Sequence, residues 1–132
     1  MLTILQGSDL HFGRPYLPDV ATGFLEAAHD LAPDVIVLAG DLTQRAKASE
    51  YRQARKYLET LPDVPIVVTP GNHDVPLYRI HERLFCPYHK YRRYVSSDLD
   101  TVAHLPGLQG FFHTASQGDS HETTATRFNQ VL

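Results

Sequence analysis

The chain has 132 residues, 42% of them apolar and 20% charged, with a net charge of −3. These values fit one globular domain, residues 1–132, with its own core, and argue against a generally basic nucleic-acid-binding surface. One cysteine, Cys86, excludes an internal disulfide and points to a reducing, cytoplasmic setting. The opening residues read as no secretory leader, and no run reaches the ~18 apolar residues that cross a bilayer.

In chain order, Leu2 to Leu5 is a short β-compatible run closed by Gly7-Ser8-Asp9, which predicts a buried first strand. Asp9 to Pro15 reads as loop. Val20, Phe24, Ala28 and Leu31 recur at helical spacing and predict a helix from Asp19 to Ala32, ended by Pro33. Val35 to Ala39 does not alternate, the pattern of a strand covered on both faces, and Gly40-Asp41 ends it. Tyr51, Ala54, Leu58 and Leu61 predict a second helix, Ala46 to Leu61, stopped at Pro62. The third apolar run, Pro65 to Val68, breaks at Pro70-Gly71 and delivers Asn72, His73 and Asp74 together.

Three successive strand-loop-helix units predict a parallel sheet with right-handed crossovers. Beyond them, Tyr78 to Tyr94 reads as helical or irregular and is interrupted at Pro87. Val102 to Leu105 and Leu108 to Phe112 predict two more strands joined at Pro106-Gly107. Ser116 to Thr126 is polar and turn-rich, and Arg127 to Leu132 reads as the opening of a helix.

In a parallel sheet the ends of all three strands lie on one edge, where open α/β sheets bind ligands. Asp9 and His11, Asp41, and Asn72 with His73 therefore converge although they are far apart in sequence. Carboxylate, imidazole and amide oxygen together suit Mn, Fe or Zn better than calcium. From an extended backbone, the i, i+2 spacing of Asp9 and His11 points both side chains the same way. Asp41, arriving between the other ligand groups, is placed to bridge two metals, the usual arrangement for phosphate ester hydrolysis.

Asp-x-His, Gly-Asp and Gly-Asn-His-Asp, each after an apolar strand, resemble the calcineurin-like metallophosphoesterase superfamily. The strings Ser8-Asp9-Leu10-His11-Phe12-Gly13, Gly40-Asp41-Leu42-Thr43-Gln44-Arg45-Ala46 and Gly71-Asn72-His73-Asp74-Val75-Pro76-Leu77-Tyr78 are similar to its bacterial class III cyclic-nucleotide phosphodiesterase branch. The match is good over residues 2–95 and weak beyond. The resemblance implies an α/β fold, a metallophosphoesterase-type β-sandwich flanked by helices, of which the chain holds the first half. It implies two divalent ions (Mn, Fe or Zn), with Asp9 and His11 on the first, Asp41 bridging and the Asn72 side-chain oxygen on the second. A hydroxide shared by the metals would attack phosphorus, in a small phosphoester and most favourably a cyclic nucleotide. Asn72 and His73 would meet the substrate, His73 stabilising the transition state or protonating the leaving oxygen, and Asp74 would orient His73 or its loop.

The family pattern continues with a further histidine ligand and a Gly-His-x-His motif, and neither is found here. Gly110-Phe111-Phe112-His113 and Gly118-Asp119-Ser120-His121 match in neither spacing nor position, so no role passes to His113 or His121. The chain thus reads as C-terminally incomplete, with weak metal binding, slow turnover, and an exposed apolar sheet face through which two copies could associate. A non-catalytic shortened relative is the alternative class; a nuclease or protein phosphatase is the rival within the superfamily. The bland readings cover the rest. Arg79, Arg83, Lys90, Arg92 and Arg93 are taken as a solvated face rather than a phosphate patch, His29, His81, His89 and His104 as solvent-facing, and Cys86 as packing.

Overall fold

A computed structural model describes residues 1–76, 78–97 and 99 with their side chains, and 101–105, 108–112 and 126–129 by backbone alone. Strands β1 (Ile4–Ser8), β2 (Val35–Ala39) and β3 (Ile66–Thr69) form a parallel sheet in the order β1-β2-β3. Ile4 pairs with Val35, Ser8 with Ala39, and Ile36 with Ile66. Helices α1 (Pro18–Leu31) and α2 (Ala48–Leu58) make the crossovers. A 3-10 turn, Asn72–Asp74, follows β3, and the short helices α3 (Ile80–Phe85) and α4 (His89–Tyr94) come next. A second, antiparallel sheet holds β4 (Thr101–Leu105), β5 (Leu108–Phe112) and β6 (Thr126–Asn129).

The expected α/β class and parallel sheet are found. Val35 to Ala39 is buried at every position, as its unbroken apolar run requires. Alternate residues of β2 feed two clusters. Ile36 and Leu38 pack with Ala21, Ala28, Tyr51, Ala54 and Tyr91, while Val35 and Val37 pack with Val67. Two tyrosine hydroxyls in this interior find carbonyl partners: Tyr51 donates to Asp74 O at 2.6 Å and Tyr91 to Val68 O at 2.8 Å.

Several expectations are corrected. The first strand starts at Ile4 and runs through Gly7 and Ser8, because pairing with β2 as far as Ala39 outweighs their turn preference. The second helix is shorter than Ala46 to Leu61. Ala46 is left-handed (φ 50°), and Glu59, Thr60 and Leu61 only extend its C-terminus with turn bonds. Val20 and Leu31 of α1 are exposed; Ala21 and Ala28 supply its buried contacts, with Phe24 and Leu25 packed beside them. The segment Arg127 to Leu132 does not open a helix: Thr126–Asn129 is a strand paired antiparallel with β5. Pairing, which the local sequence does not announce, decides that case.

The apolar sheet face expected to lie open is buried, with Val35, Val37 and Val67 at 1, 0 and 4% exposure. Exposed apolar side chains sit instead on and beside α1 (Leu17, Val20, Leu31) and around α3 (Tyr78, Ile80, Leu84, Phe85). Cys86, expected to pack, is exposed as well. His29, His81 and His89 are solvent-facing as expected; His104 and the roles declined for His113 and His121 fall outside the residues described with side chains, as does the polar stretch 116–125. Among the described residues no helix is long and apolar enough to cross a membrane.

Candidate functional site

All three strands of the parallel sheet end on one edge, and the turns after them are bonded to one another. His11 N donates to Asp41 O at 2.9 Å, Phe12 N to Leu42 O at 2.8 Å, and Gln44 N returns to Phe12 O at 3.0 Å. Gly40 N donates to Thr69 O at 2.9 Å, tying the second turn to the third strand. Asp9, His11 and Asp41 take left-handed backbone conformations, with φ of 56°, 47° and 41°. Non-glycine residues adopt that region at a cost of about 1 kcal/mol or more, so surrounding bonds must hold them there. This corrects the expectation that an extended backbone aims Asp9 and His11. The two side chains do converge, but through two left-handed residues flanking the buried Leu10.

One ligand atom from each of Asp9, His11 and Asp41 lies within 4.8 Å of the other two. His11 Nε2 is 3.7 Å from Asp9 Oδ1 and 3.9 Å from Asp41 Oδ2. Those separations are too long for hydrogen bonds. They match donor atoms ranged around a shared ion, since ligand distances of about 2.0–2.2 Å leave neighbouring donors ~3–4 Å apart. The donor set of carboxylate, carboxylate and imidazole therefore fits a divalent transition metal. On the far side of the imidazole, His11 Nδ1 is buried and has no hydrogen-bond partner among the described residues.

The Gly-Asn-His-Asp turn is fastened to the same edge. A Cβ on Gly71 would collide with the Asp41 amide nitrogen and Oδ1, so only glycine allows the approach. His73 N donates to Asp41 Oδ1 at 2.9 Å, which leaves Oδ2 as the oxygen turned toward His11. The His73 ring meets that of His11 edge-on, with centroids 4.9 Å apart, and its Nδ1 donates to the Gln44 carbonyl at 2.9 Å. That bond puts the proton of a neutral imidazole on Nδ1 and leaves Nε2 available. Asn72 is exposed at the start of the 3-10 turn, directly after Gly71.

Asp74 is buried, and its carboxylate accepts from Gly71 N (2.9 Å), Leu42 N (3.0 Å), Thr43 N (2.8 Å) and Thr43 Oγ1 (2.9 Å). Burial pushes its pKa up to about 6, against the pull of those donors, all four of which favour the ionised form. It joins the second turn to the third. Sequence reasoning did not single out Thr43, Gln44 or Glu50, which complete this framework. The one available signal was Glu50 three positions after Lys47, the arrangement of an acidic residue capping a helix start.

A family model for calcineurin-like phosphoesterases matches residues 2–129. The chain belongs to that family. A search among curated proteins gave no match. Family membership places this calcineurin-like phosphoesterase among hydrolases that act on phosphoric esters with divalent metals. In the phosphoesterase chain Asp9, His11 and Asp41 form the cluster able to hold a metal, with the backbone of the Gly71–Asp74 turn bonded onto it. The basic residues of the α3–α4 region stand apart from that cluster in sequence. Arg79 and Lys90 are paired with Glu82 at 2.7 and 2.6 Å, Arg92 is exposed, and Arg93 lies 5.7 Å over the Tyr94 ring.

Proposed function

We propose that the chain hydrolyses phosphodiester bonds, with a cyclic nucleotide as the favoured substrate and two divalent ions (Mn, Fe or Zn) as cofactors. The observation that carries this is the convergence of Asp9, His11 and Asp41 at one sheet edge. Asp9 and His11 would hold one ion, Asp41 would serve both, and the Asn72 side-chain oxygen would hold the other. Bound there, such ions lower the pKa of coordinated water and neutralise charge on the phosphoryl group. The remaining work falls to the chain's own residues. Asn72 and His73 orient the ester, and His73, its Nδ1–H held by the Gln44 carbonyl, points Nε2 at the phosphoryl or leaving oxygen, to which it donates when the ring carries a second proton there. Asp74 fixes the turn that carries them. The preference for a cyclic nucleotide rests on the likeness of the three motif strings to that branch. A cytoplasmic setting fits a lone cysteine without a disulfide partner.

Metal binding and hydrolysis by the purified chain, each followed separately, test the reading. Manganese or zinc should bind saturably, and Asp41→Asn or His11→Gln should weaken binding at least tenfold, in the range that loss of ligand support produces. Cyclic AMP, bis-p-nitrophenyl phosphate and p-nitrophenyl phosphate, compared with manganese added, rank diester against monoester. His73→Ala should keep the metal and lower kcat about 10²-fold. No saturable divalent binding, or a monoester turned over faster than either diester, would count against the proposal.

A further inference from the structure

Glu50 is buried in the first turn of α2, at 5% exposure, and its carboxylate plays no part in the cluster described above. Its Oε2 accepts from Arg45 N at 2.8 Å and Lys47 N at 3.2 Å. The Arg45 amide shares its peptide plane with the Gln44 carbonyl, and that carbonyl accepts from His73 Nδ1 at 2.9 Å. In a trans peptide the N–H and C=O point in opposite directions, so one rigid plane spans Glu50 and His73. The other amides of the loop are also engaged: Gln44 N with Phe12 O, and Ala46 N with Thr43 Oγ1 at 3.1 Å. With every amide from Gln44 to Lys47 held, the carbonyl has no freedom to turn away. Gly13, at φ 138°, backs onto Glu50, and a Cβ there would fall 2.7 Å from Oε1.

We infer that Glu50 is a positioning residue for His73, acting through the Gln44-Arg45 peptide to fix the imidazole's orientation and hold its proton on Nδ1. A carboxylate bonded to the N–H end of a peptide polarises its carbonyl and strengthens the bond accepted at the other end. The effect on His73 resembles that of a carboxylate placed directly at Nδ1, with a backbone unit between. The inference rests on the proposed role of His73 for its effect on catalysis, but not for its effect on the ring itself.

Long-range proton–nitrogen NMR of the zinc-loaded full chain reads that effect, with the His73 signals assigned by their loss in His73→Gln. Wild type should show one tautomer, protonated at Nδ1, with a slowly exchanging proton. Glu50→Gln keeps the shape and one acceptor oxygen but loses the charge. It should retain the tautomer, move the Nδ1 proton upfield and speed its exchange. Glu50→Ala should lose the slow proton and mix the tautomers, and with manganese should lower kcat on bis-p-nitrophenyl phosphate roughly tenfold while KM changes little. If Glu50 is only a helix cap, both variants lower the melting temperature and leave the His73 signals where they were. That result overturns the inference, and should Glu50→Ala fail to fold, an unmoved Nδ1 proton in Glu50→Gln overturns it alone. Absence of hydrolysis by every form would sink the phosphodiesterase reading and leave the NMR result to decide the role of Glu50.

Discussion

Every group facing the Asp74 carboxylate in its buried pocket is a donor: three backbone amides and the Thr43 hydroxyl. Only an acceptor on both oxygens satisfies them. Asp74→Ala strands two buried amides and the half-buried Gly71 amide and should destabilise the chain by about 3 kcal/mol or more, measured by urea unfolding. Asp74→Asn keeps one acceptor but turns an NH2 against donors, so it should still cost about 2 kcal/mol. If the asparagine variant unfolds at the wild-type midpoint, the accounting of donors is wrong. Gly71 is constrained by contact with Asp41 rather than by its own conformation. Gly71→Ala should push the turn off Asp41, break the His73 amide bond to Oδ1 and weaken metal affinity about tenfold or more. Unchanged metal affinity in a folded Gly71→Ala would show that the turn and the cluster are independent.

At the scale of elements, α1 ends on Ala32, which is exposed and left-handed with φ 43° and ψ 62°. Glycine is the residue that position favours. Relief of about 1–2 kcal/mol of backbone strain, less about 0.4–1 kcal/mol for the freer unfolded chain, leaves a net gain near 0.5–1 kcal/mol for Ala32→Gly. A rise of about 2–4 °C in melting temperature is expected, and a fall would contradict the assignment. Helices α3 and α4 are joined through Glu82, which accepts from Lys90 at 2.6 Å and Arg79 at 2.7 Å. Those bonds hold its carboxyl down at about 2, below the ordinary 4.5. The folded state therefore releases this proton more readily than the unfolded chain. The contribution is present in full above pH 4.5 and is lost as pH falls toward 2. The protection of α3 amides, taken relative to their intrinsic exchange rate at each pH, should fall over that window in wild type and stay flat in Glu82→Gln, with the effect reduced by salt.

For the molecule as a whole, any ion that binds the folded cluster and not the unfolded chain shifts the folding equilibrium. At a hundredfold excess over Kd the gain is about 2.7 kcal/mol. Zinc or manganese should raise the melting temperature of wild type in a concentration-dependent way and shift Asp41→Asn about half as far or less, as a site at least tenfold weaker requires; equal shifts in both would place the binding elsewhere. The sequence by itself determined the chemistry available and its side of the fold. Three apolar runs each ending in Asp9-x-His11, Gly40-Asp41 or Gly71-Asn72-His73-Asp74 carry those groups to one edge of a parallel sheet, because strand burial and the alternation of strand with helix are written in local hydrophobic pattern. Only the tertiary structure decided how the groups meet. The left-handed turns at Asp9, His11 and Asp41, the Asp74 junction and the Glu50-to-His73 bridge depend on hydrogen bonds between segments about thirty residues apart or across a turn. The strand at Thr126–Asn129 arose from pairing with β5. Such bonds select one backbone conformation from several that the local residues allow equally, and no run of neighbouring side chains encodes that choice.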